Sequence, residues 1–269
     1  MNNVITGVFF RLILAVVFLA VSAGARAGFQ EGMKAYVTGN YSVALKEFNA
    51  LAIKGDAVAQ FWLGWMHNDG NGVPQDYQLA MSWYRKAAEQ GNMEAQFFLG
   101  EMYDKGRGVP QDYSRAAAWY RMAAVQDSAI AQHRLGVMYA YGLGVSQDDQ
   151  QAVSWYRKAA EHGNMEAQLS LGAMYRQGKG VPQVYTEALS WYLKAAEQGS
   201  MKAQFNLGEM YYKGTGVPQD FVQALKWLGL AAISGHEEAA KSMKMAEARM
   251  TPKEIEEAQA LAQEWLAQH

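Results

Sequence analysis

Residues Gly72 to Gly108 read GVPQDYQLAMSWYRKAAEQGNMEAQFFLGEMYDKGRG, and the rest of the chain copies this stretch with small changes. The pair Trp83-Tyr84 returns as Trp119-Tyr120, Trp155-Tyr156 and Trp191-Tyr192, a step of 36 residues, and Trp227 keeps the step with Leu228 beside it. A second signature, Ala-Gln-x-x-Leu-Gly, begins at Ala59, Ala95, Ala131, Ala167 and Ala203 with the same spacing. No insertion breaks the period. A fixed period of this length marks a repeat architecture in which each unit buries its apolar face against the next.

Each copy reads as two helices. In the first, Ala95, Phe98, Leu99, Met102 and Tyr103 recur at helical spacing and are expected on one buried face. In the second, Tyr113, Ala116, Ala117, Tyr120 and Ala124 do the same, with Trp119 at the edge of the stripe. Gly106 is placed to end the first helix in a left-handed conformation, Pro110 prevents continuation, and Asp112 is placed to cap the second helix. Gly91 and Asn92 play the corresponding parts between one copy and the next, with Glu94 favourable to the helix dipole. Gly64, Gly100, Gly136, Gly172 and Gly208 lie inside the first helices, where each costs about 1 kcal/mol against alanine. A close helix approach must offset that, and the recurrent Ala80, Ala116, Ala152, Ala188 and Ala224 are the expected matching contacts.

The motifs Ala-x-x-x-Leu-Gly-x-x-Tyr, Gly-x-Gly-Val, Asp-Tyr-x-x-Ala and Trp-Tyr-x-x-Ala-Ala resemble the Sel-one-like repeat, a relative of the tetratricopeptide repeat with a longer turn between its helices. The likeness spans about Phe29 to His269. It implies an all-α fold, an α-solenoid in which stacked antiparallel helix pairs wind as a right-handed superhelix. It also implies a scaffold that binds other proteins, and it does not imply chemistry.

Half of the 269 residues are hydrophobic, enough for a sizeable core shared between neighbouring repeats. Twenty-four basic residues stand against 26 acidic ones, and removing Arg11 and Arg26 with a leader leaves 22 against 26. A nucleic-acid partner, which calls for a strongly basic surface, is not expected. With no cysteine, disulfides and zinc-thiolate sites are excluded. Residues 1–27 carry Arg11, the apolar run Leu12 to Val21 and then Ala25-Arg26-Ala27, the pattern of a cleaved secretory signal; cleavage after Ala25 fits the same rule. A membrane anchor is the competing reading, but a span needs about 20 apolar residues and Arg11 interrupts the run. The chain is therefore expected to be exported, periplasmic or secreted, with no membrane attachment once the leader is removed.

Residues 28–269 then form the solenoid. Residues 28–55 are a shortened hairpin in which Gly39-Asn40 joins the helices directly, Asn40 caps the second, and the polar Glu47 stands where later copies have tryptophan, as suits an N-terminal cap. Residues 56–235 hold five full repeats. Residues 236–269 hold a half repeat, with Ala239 and Met243 in register, and a final helix opened by the capping box Thr251-Pro252-Lys253-Glu254. Ile255, Ala258, Leu261, Ala262 and Trp265 give that helix one apolar stripe, and Lys253, Glu256, Glu257 and Gln263 face the other way.

Comparing the five copies separates structural from free positions. The leucines at 63, 99, 135, 171 and 207 and the methionines at 66, 102, 138, 174 and 210 never change, so the methionine stripe reads as core. Variable positions include Phe61, Phe97, His133, Leu169 and Phe205, then Trp65, Glu101, Val137, Ala173 and Glu209, and farther along Arg176, Tyr212 and Tyr141. By resemblance to tetratricopeptide repeats, this side of the first helix lines a concave groove. Phe61, Trp65, Phe97, Glu101, His133, Val137, Leu169, Arg176, Phe205 and Tyr212 are the candidate partner-binding residues, a mixture that suits a protein or peptide. The alternative is that the phenylalanines pack between helices.

Catalytic patterns are absent. Gly70-x-Gly72 and its copies lack a third glycine, follow no strand and recur in turns, so no nucleotide site is expected, and His236-Glu237-Glu238-Ala239-Ala240 lacks the second histidine of a zinc protease motif. No cofactor or metal is expected. A cell-wall- or β-lactam-directed hydrolase, which would need Glu101, Asp104 and Glu209 to converge, is the alternative to a binding scaffold.

Overall fold

The computed structural model describes residues 23–269, which form fourteen α-helices and, among the described residues, no strand. The leader sequence lies outside the described residues as far as residue 22. The short N-terminal hairpin is α1 (Ala23–Val37) and α2 (Tyr41–Ala52). The repeats then alternate first and second helices: α3 (Ala57–Asp69), α4 (Tyr77–Glu89), α5 (Met93–Lys105), α6 (Tyr113–Ala124), α7 (Ala129–Tyr141), α8 (Asp149–Glu161), α9 (Met165–Gln177), α10 (Tyr185–Glu197), α11 (Met201–Lys213) and α12 (Phe221–Ile233). The chain ends with α13 (Glu237–Glu247) and α14 (Pro252–Gln268).

These helices gather into two compact units, Met1–Gln111 and Asp112–His269. In the first, α3 packs against both α2 and α4, and α4 also against α5. In the second, α7 lies between α6 and α8, α9 between α8 and α10, and α11 between α10 and α12. A first helix flanked on two sides by second helices buries most of its circumference. The invariant leucines and alanines of the period fill these contacts, and Leu99, Leu135, Leu171 and Leu207 are fully buried.

Local chemistry sets the boundaries. Asp56, Asn92 and Asn164 accept from the backbone N–H groups of Ala59, Ala95 and Ala167, and Asp76, Asp112, Asp148 and Asp220 cap second helices in the same way. Val184 has no group to do so, which costs α10 about 1 kcal/mol. Gly106 ends α5 at φ 66°, and Asp127 takes φ 66° where other copies have glycine. Asn40 departs from expectation: it occupies the cap position of α2, but its Oδ1 accepts from the Ser42 hydroxyl at 3.0 Å rather than from a backbone N–H. The long turn is tied down by a glutamine: Gln75, Gln111, Gln183 and Gln219 each donate to the backbone carbonyl seven residues back, at 2.6–2.8 Å.

The close approach at the helical glycines is real, but its partner is not alanine. A Cβ on Gly64 or Gly136 would lie 2.6 Å from the ring of Tyr84 or Tyr156, and one on Gly172 or Gly208 would lie 2.7 Å from Tyr192 or Leu228. At these four glycines the residue after the repeat tryptophan fills the space the missing Cβ leaves. The alanines bury alongside, and Ala188 contributes its carbonyl oxygen 3.2 Å from the Gly172 position.

A second device was not anticipated. The glutamine of each Ala-Gln signature is buried, and Gln60, Gln96, Gln132, Gln168 and Gln204 each donate to the carbonyl eight residues back, near the end of the preceding second helix, at 3.0–3.3 Å. Their amide oxygens take partners thirty residues on: Gln90 donates to Gln60 and Gln198 to Gln168, both at 2.7 Å, and His162 Nδ1 lies 3.2 Å from Gln132. At the last copy Ser234 occupies that place, and Gln204 Oε1 is buried without a partner.

The C-terminal cap matches its pattern. Thr251 and Glu254 form the capping box, Ala258 is buried, and Trp265 meets Trp227 at 6.4 Å while donating to Glu197 at 3.2 Å. Helix α14 packs on α12, and Lys253, Glu256, Glu257 and Gln263 are exposed.

Candidate partner-binding face

On the N-terminal unit, Tyr36 from α1, Trp65 from α3 and Phe98 from α5 form a partly buried aromatic row. Trp65 and Phe98 meet edge to face at 5.1 Å. The indole N–H of Trp65 donates to the Tyr36 hydroxyl at 2.8 Å, and Asn71 donates to the same oxygen at 3.0 Å. Beneath them Tyr84 stacks on Phe98 at 5.5 Å. Its hydroxyl is buried without a hydrogen-bond partner. Burial pushes that phenol well above its ordinary pKa, and the negative charges of Asp69 and Glu101 add to the shift. Burial also raises the Asp69 carboxyl, opposed by the Asn68 amide and the charge of Arg107.

The sequence-derived positions divide. Phe61 and Phe97 are 4% and 8% exposed and belong to the core, so the packing alternative describes them. Phe98, expected on the buried face, is partly buried and packs on the rings of Phe61, Tyr84 and Phe97, so both adjacent phenylalanines of α5 contribute to packing and Phe98 alone keeps some exposed surface. Trp65 stands in the aromatic row, and Glu101, beside Tyr84, is ion-paired with Lys105 one turn on.

The C-terminal unit carries His133, Val137, Leu169, Arg176, Phe205 and Tyr212, all partly buried. His133 lies 5.7 Å from the ring of Tyr156, and burial, helped by Arg134, lowers its pKa to about 4. Val137 and Leu169 pack on the core that contains Tyr156, Leu171 and Tyr192. Arg176 lies beside Tyr192, whose pKa its charge opposes raising. Phe205 stacks on His236 at 4.2 Å, Tyr212 meets Phe221 at 5.6 Å, and Tyr141 stands 71% exposed. Glu209 pairs with Lys213 and accepts from Ser242 at 2.7 Å. Among the described residues no helix is long and apolar enough to cross a membrane, and no cluster of three or more His, Cys, Asp or Glu could hold a metal.

Tyr36 and Phe98 are the members of the site that sequence reasoning missed. Phe98 carried a usable signal: its equivalents are Trp62, Arg134, Ser170 and Asn206, a position as variable as any assigned to the groove.

The Sel1 repeat model matches residues 57–92, 94–128, 129–164, 166–200 and 202–236. The chain belongs to the Sel1 repeat family. Solved Sel1 structures agree with the geometry: the chain is 38% identical, with a TM-score of 0.77, to a protective antigen present in uropathogenic Escherichia coli strains and displaying an SLR fold. That match covers 84% of this chain and 49% of the antigen, so the chain spans about half of that relative's length. A Sel1 repeat protein from Oxalobacter formigenes is 33% identical with a TM-score of 0.75, over 87% of this chain and 96% of the other. No curated protein matches the chain in sequence. Sel1 repeat proteins are in general scaffolds for protein–protein interaction, and this fold is of that kind.

Proposed function

We propose that the protein is an exported bacterial scaffold, periplasmic or secreted, that holds a protein or peptide partner against the groove-side faces of its first helices and catalyses nothing. The observation that carries the reading is the pairing of Trp65 and Phe98, two large, partly buried rings in edge-to-face contact beside the partly buried Tyr36. Aromatic side chains that keep some exposed surface on rigid helices can anchor partners, because covering them on binding releases water at small entropic cost. Export is supported by the leader pattern of residues 1–27 and by the E. coli relative's being a protective antigen, since such an antigen must meet the immune system. The hydrolase alternative gains no support from its proposed acids, because Glu101 and Glu209 are each held by a lysine of their own helix.

The test is a photo-crosslinking residue placed at Phe98 in the native host, with the adduct identified by mass spectrometry and the same residue at the exposed Gln78 as control. Phe98→Ala should weaken the captured partner about thirtyfold, the equivalent of about 2 kcal/mol at an anchor. Equal capture at Phe98 and Gln78, or undiminished affinity in a folded Phe98→Ala variant, would remove the aromatic row from the reading.

A further inference from the structure

The hairpin that opens the array differs from the later copies at a position of its second helix. Where the five repeats carry Trp83, Trp119, Trp155, Trp191 and Trp227, α2 carries Glu47. The facing side of α1 has room for it. Gly28 and Gly32 lie about one turn apart on that helix, and both stand against α2. A Cβ on Gly32 would lie 3.3 Å from Glu47 Cβ and 2.7 Å from the ring of Phe48. A Cβ on Gly28 would lie 3.3 Å from Glu47 Oε2 and 3.9 Å from Leu51. The Glu47 side chain therefore runs along α1 from the level of Gly32 to that of Gly28, and its carboxylate ends at Gly28.

Glu47 is partly buried and forms no ion pair among the described residues. A carboxylate drawn partly out of water is stabilised by a nearby cation. The other charged side chains of the hairpin, Glu31 and Lys34 on α1, Lys46 on α2 and Lys54 just after it, are exposed. The residue that the carboxylate faces is the one the leader pattern makes first in the mature chain, because Ala25-Arg26-Ala27 ends just before it. Cleavage there converts the amide nitrogen of Gly28, which shares its Cα with the position next to Glu47 Oε2, into an α-ammonium group. Cleavage after Ala25 would put that charge two residues earlier, more than half a turn around the helix.

We infer that Glu47 is the docking site of the mature amino terminus, its carboxylate pairing with the Gly28 ammonium that leader removal creates. In that step water adds across the Ala27–Gly28 amide: the C–N bond breaks, Ala27 leaves as a carboxylate with the leader, and Gly28 keeps the nitrogen as an ammonium. The free N–H groups of the shortened α1 act on Glu47 with the same sign. The pairing rests on the export reading, which supplies the cut, whereas that reading does not need the pairing. The α-amino group ordinarily titrates at about 7.7 to 8.0, and a carboxylate beside it raises that value. The stability the pair contributes is therefore fully present below about pH 7.7, while Glu47 is ionised, and is lost as pH rises through the raised folded value.

The test recovers the exported chain from a bacterial host, reads its first residues, and follows the Gly28 amine by NMR through the α-carbon shift of labelled glycine, in the parent and in Glu47→Gln. The expected first residue is Gly28. Its amine pKa should be about half a unit higher in the parent than in the variant, and about 0.5 M salt should lower the parent's value toward the variant's. The parent should melt above Glu47→Gln at about pH 6 and lose that lead by about pH 10, whereas a glutamate that only packs would keep it. A chain that begins at Arg26 overturns the docking and leaves export in place; a chain that keeps its leader overturns the docking and the cleavage together. A chain that begins at Gly28 with the same amine pKa in parent and variant overturns the docking alone. If Glu47→Gln does not fold, the salt titration of the parent decides, and an amine pKa that fails to fall with salt overturns the pair.

Discussion

Gly136 and Gly229 are both helical glycines with opposite surroundings, and replacing each by alanine tests the packing logic of the repeat. A Cβ on Gly136 would lie 2.6 Å from Cδ1 and 2.7 Å from Cε1 of Tyr156, a ring that is itself buried. A Cβ on Gly229, inside α12, meets nothing within 4 Å. Alanine gains about 1 kcal/mol over glycine in a helix interior at either site. At Gly136 that gain is set against overpacking of about 1 to 3 kcal/mol, because the ring has to move within a filled core. Gly136→Ala should therefore be neutral to destabilising by about 2 kcal/mol, and Gly136→Leu should cost more. Gly229→Ala should stabilise by about 1 kcal/mol. For a chain of this size about 1 kcal/mol moves the melting temperature by roughly 2 to 4 °C, so the two alanine variants should lie roughly 2 to 12 °C apart. Melts followed by circular dichroism and by tryptophan fluorescence give the comparison. Shifts of the same sign and size would mean that the tyrosine ring does not occupy the space left by the glycine.

Ser234→Gln should give Gln204 Oε1 the donor that Gln90 and Gln198 provide in earlier copies, raising stability by about 1 kcal/mol in urea titration; a lower midpoint would refute the ladder. Leu99→Ala should cost about 2 to 5 kcal/mol of folding free energy, while Phe98→Ala, at a partly buried ring, should cost less. His133 has its folded pKa lowered to about 4 against an unfolded value near 6.5, so the unfolded chain takes up the proton first. Stability should therefore fall as pH drops from about 6.5 to about 4, by no more than about 3 kcal/mol from this group, and His133→Phe should flatten that part of the curve. A parallel curve for the variant would show that His133 is hydrated.

The fold was legible because period and punctuation are written in residue types. The spacing of Trp-Tyr and Leu-Gly, the capping Asp and Asn residues and the turn glycines each have one structural use, and helices α3 to α12 begin and end where those residues place them. The site was less legible. Variability between copies was taken to mean exposure, but α3 and α5 are packed against second helices, so variable positions such as Phe61 and Phe97 fall inside. Positions 97 and 98 are one step apart on a helix, and which of them faces out depends on where α4 lies, which the period does not encode. Tyr36 could not be found by comparing copies, because the N-terminal hairpin is the one unit without the long turn.

A periodic chain supplies its own controls. The packing demand is the same in each copy, so a single departure, such as Val184 at a cap or Leu193 opposite Tyr211, removes one interaction and leaves the rest of the copy in place. The departure at Asn49 and His67 is of another kind. Two side chains on different helices change together and the arginine–tyrosine bond of other copies is lost, as it is again at Gly229 and Glu247. Packing alone would be better served by the arginine and tyrosine used elsewhere, because they fill the space and satisfy each other. The same comparison bears on Gln204, where Ser234 stands in the place of the glutamine that donates in other copies and leaves Oε1 without a partner. Ser234→Gln therefore asks of one copy what Gln90 and Gln198 supply in others, and a gain in stability there would show that the buried glutamine needs both of its partners.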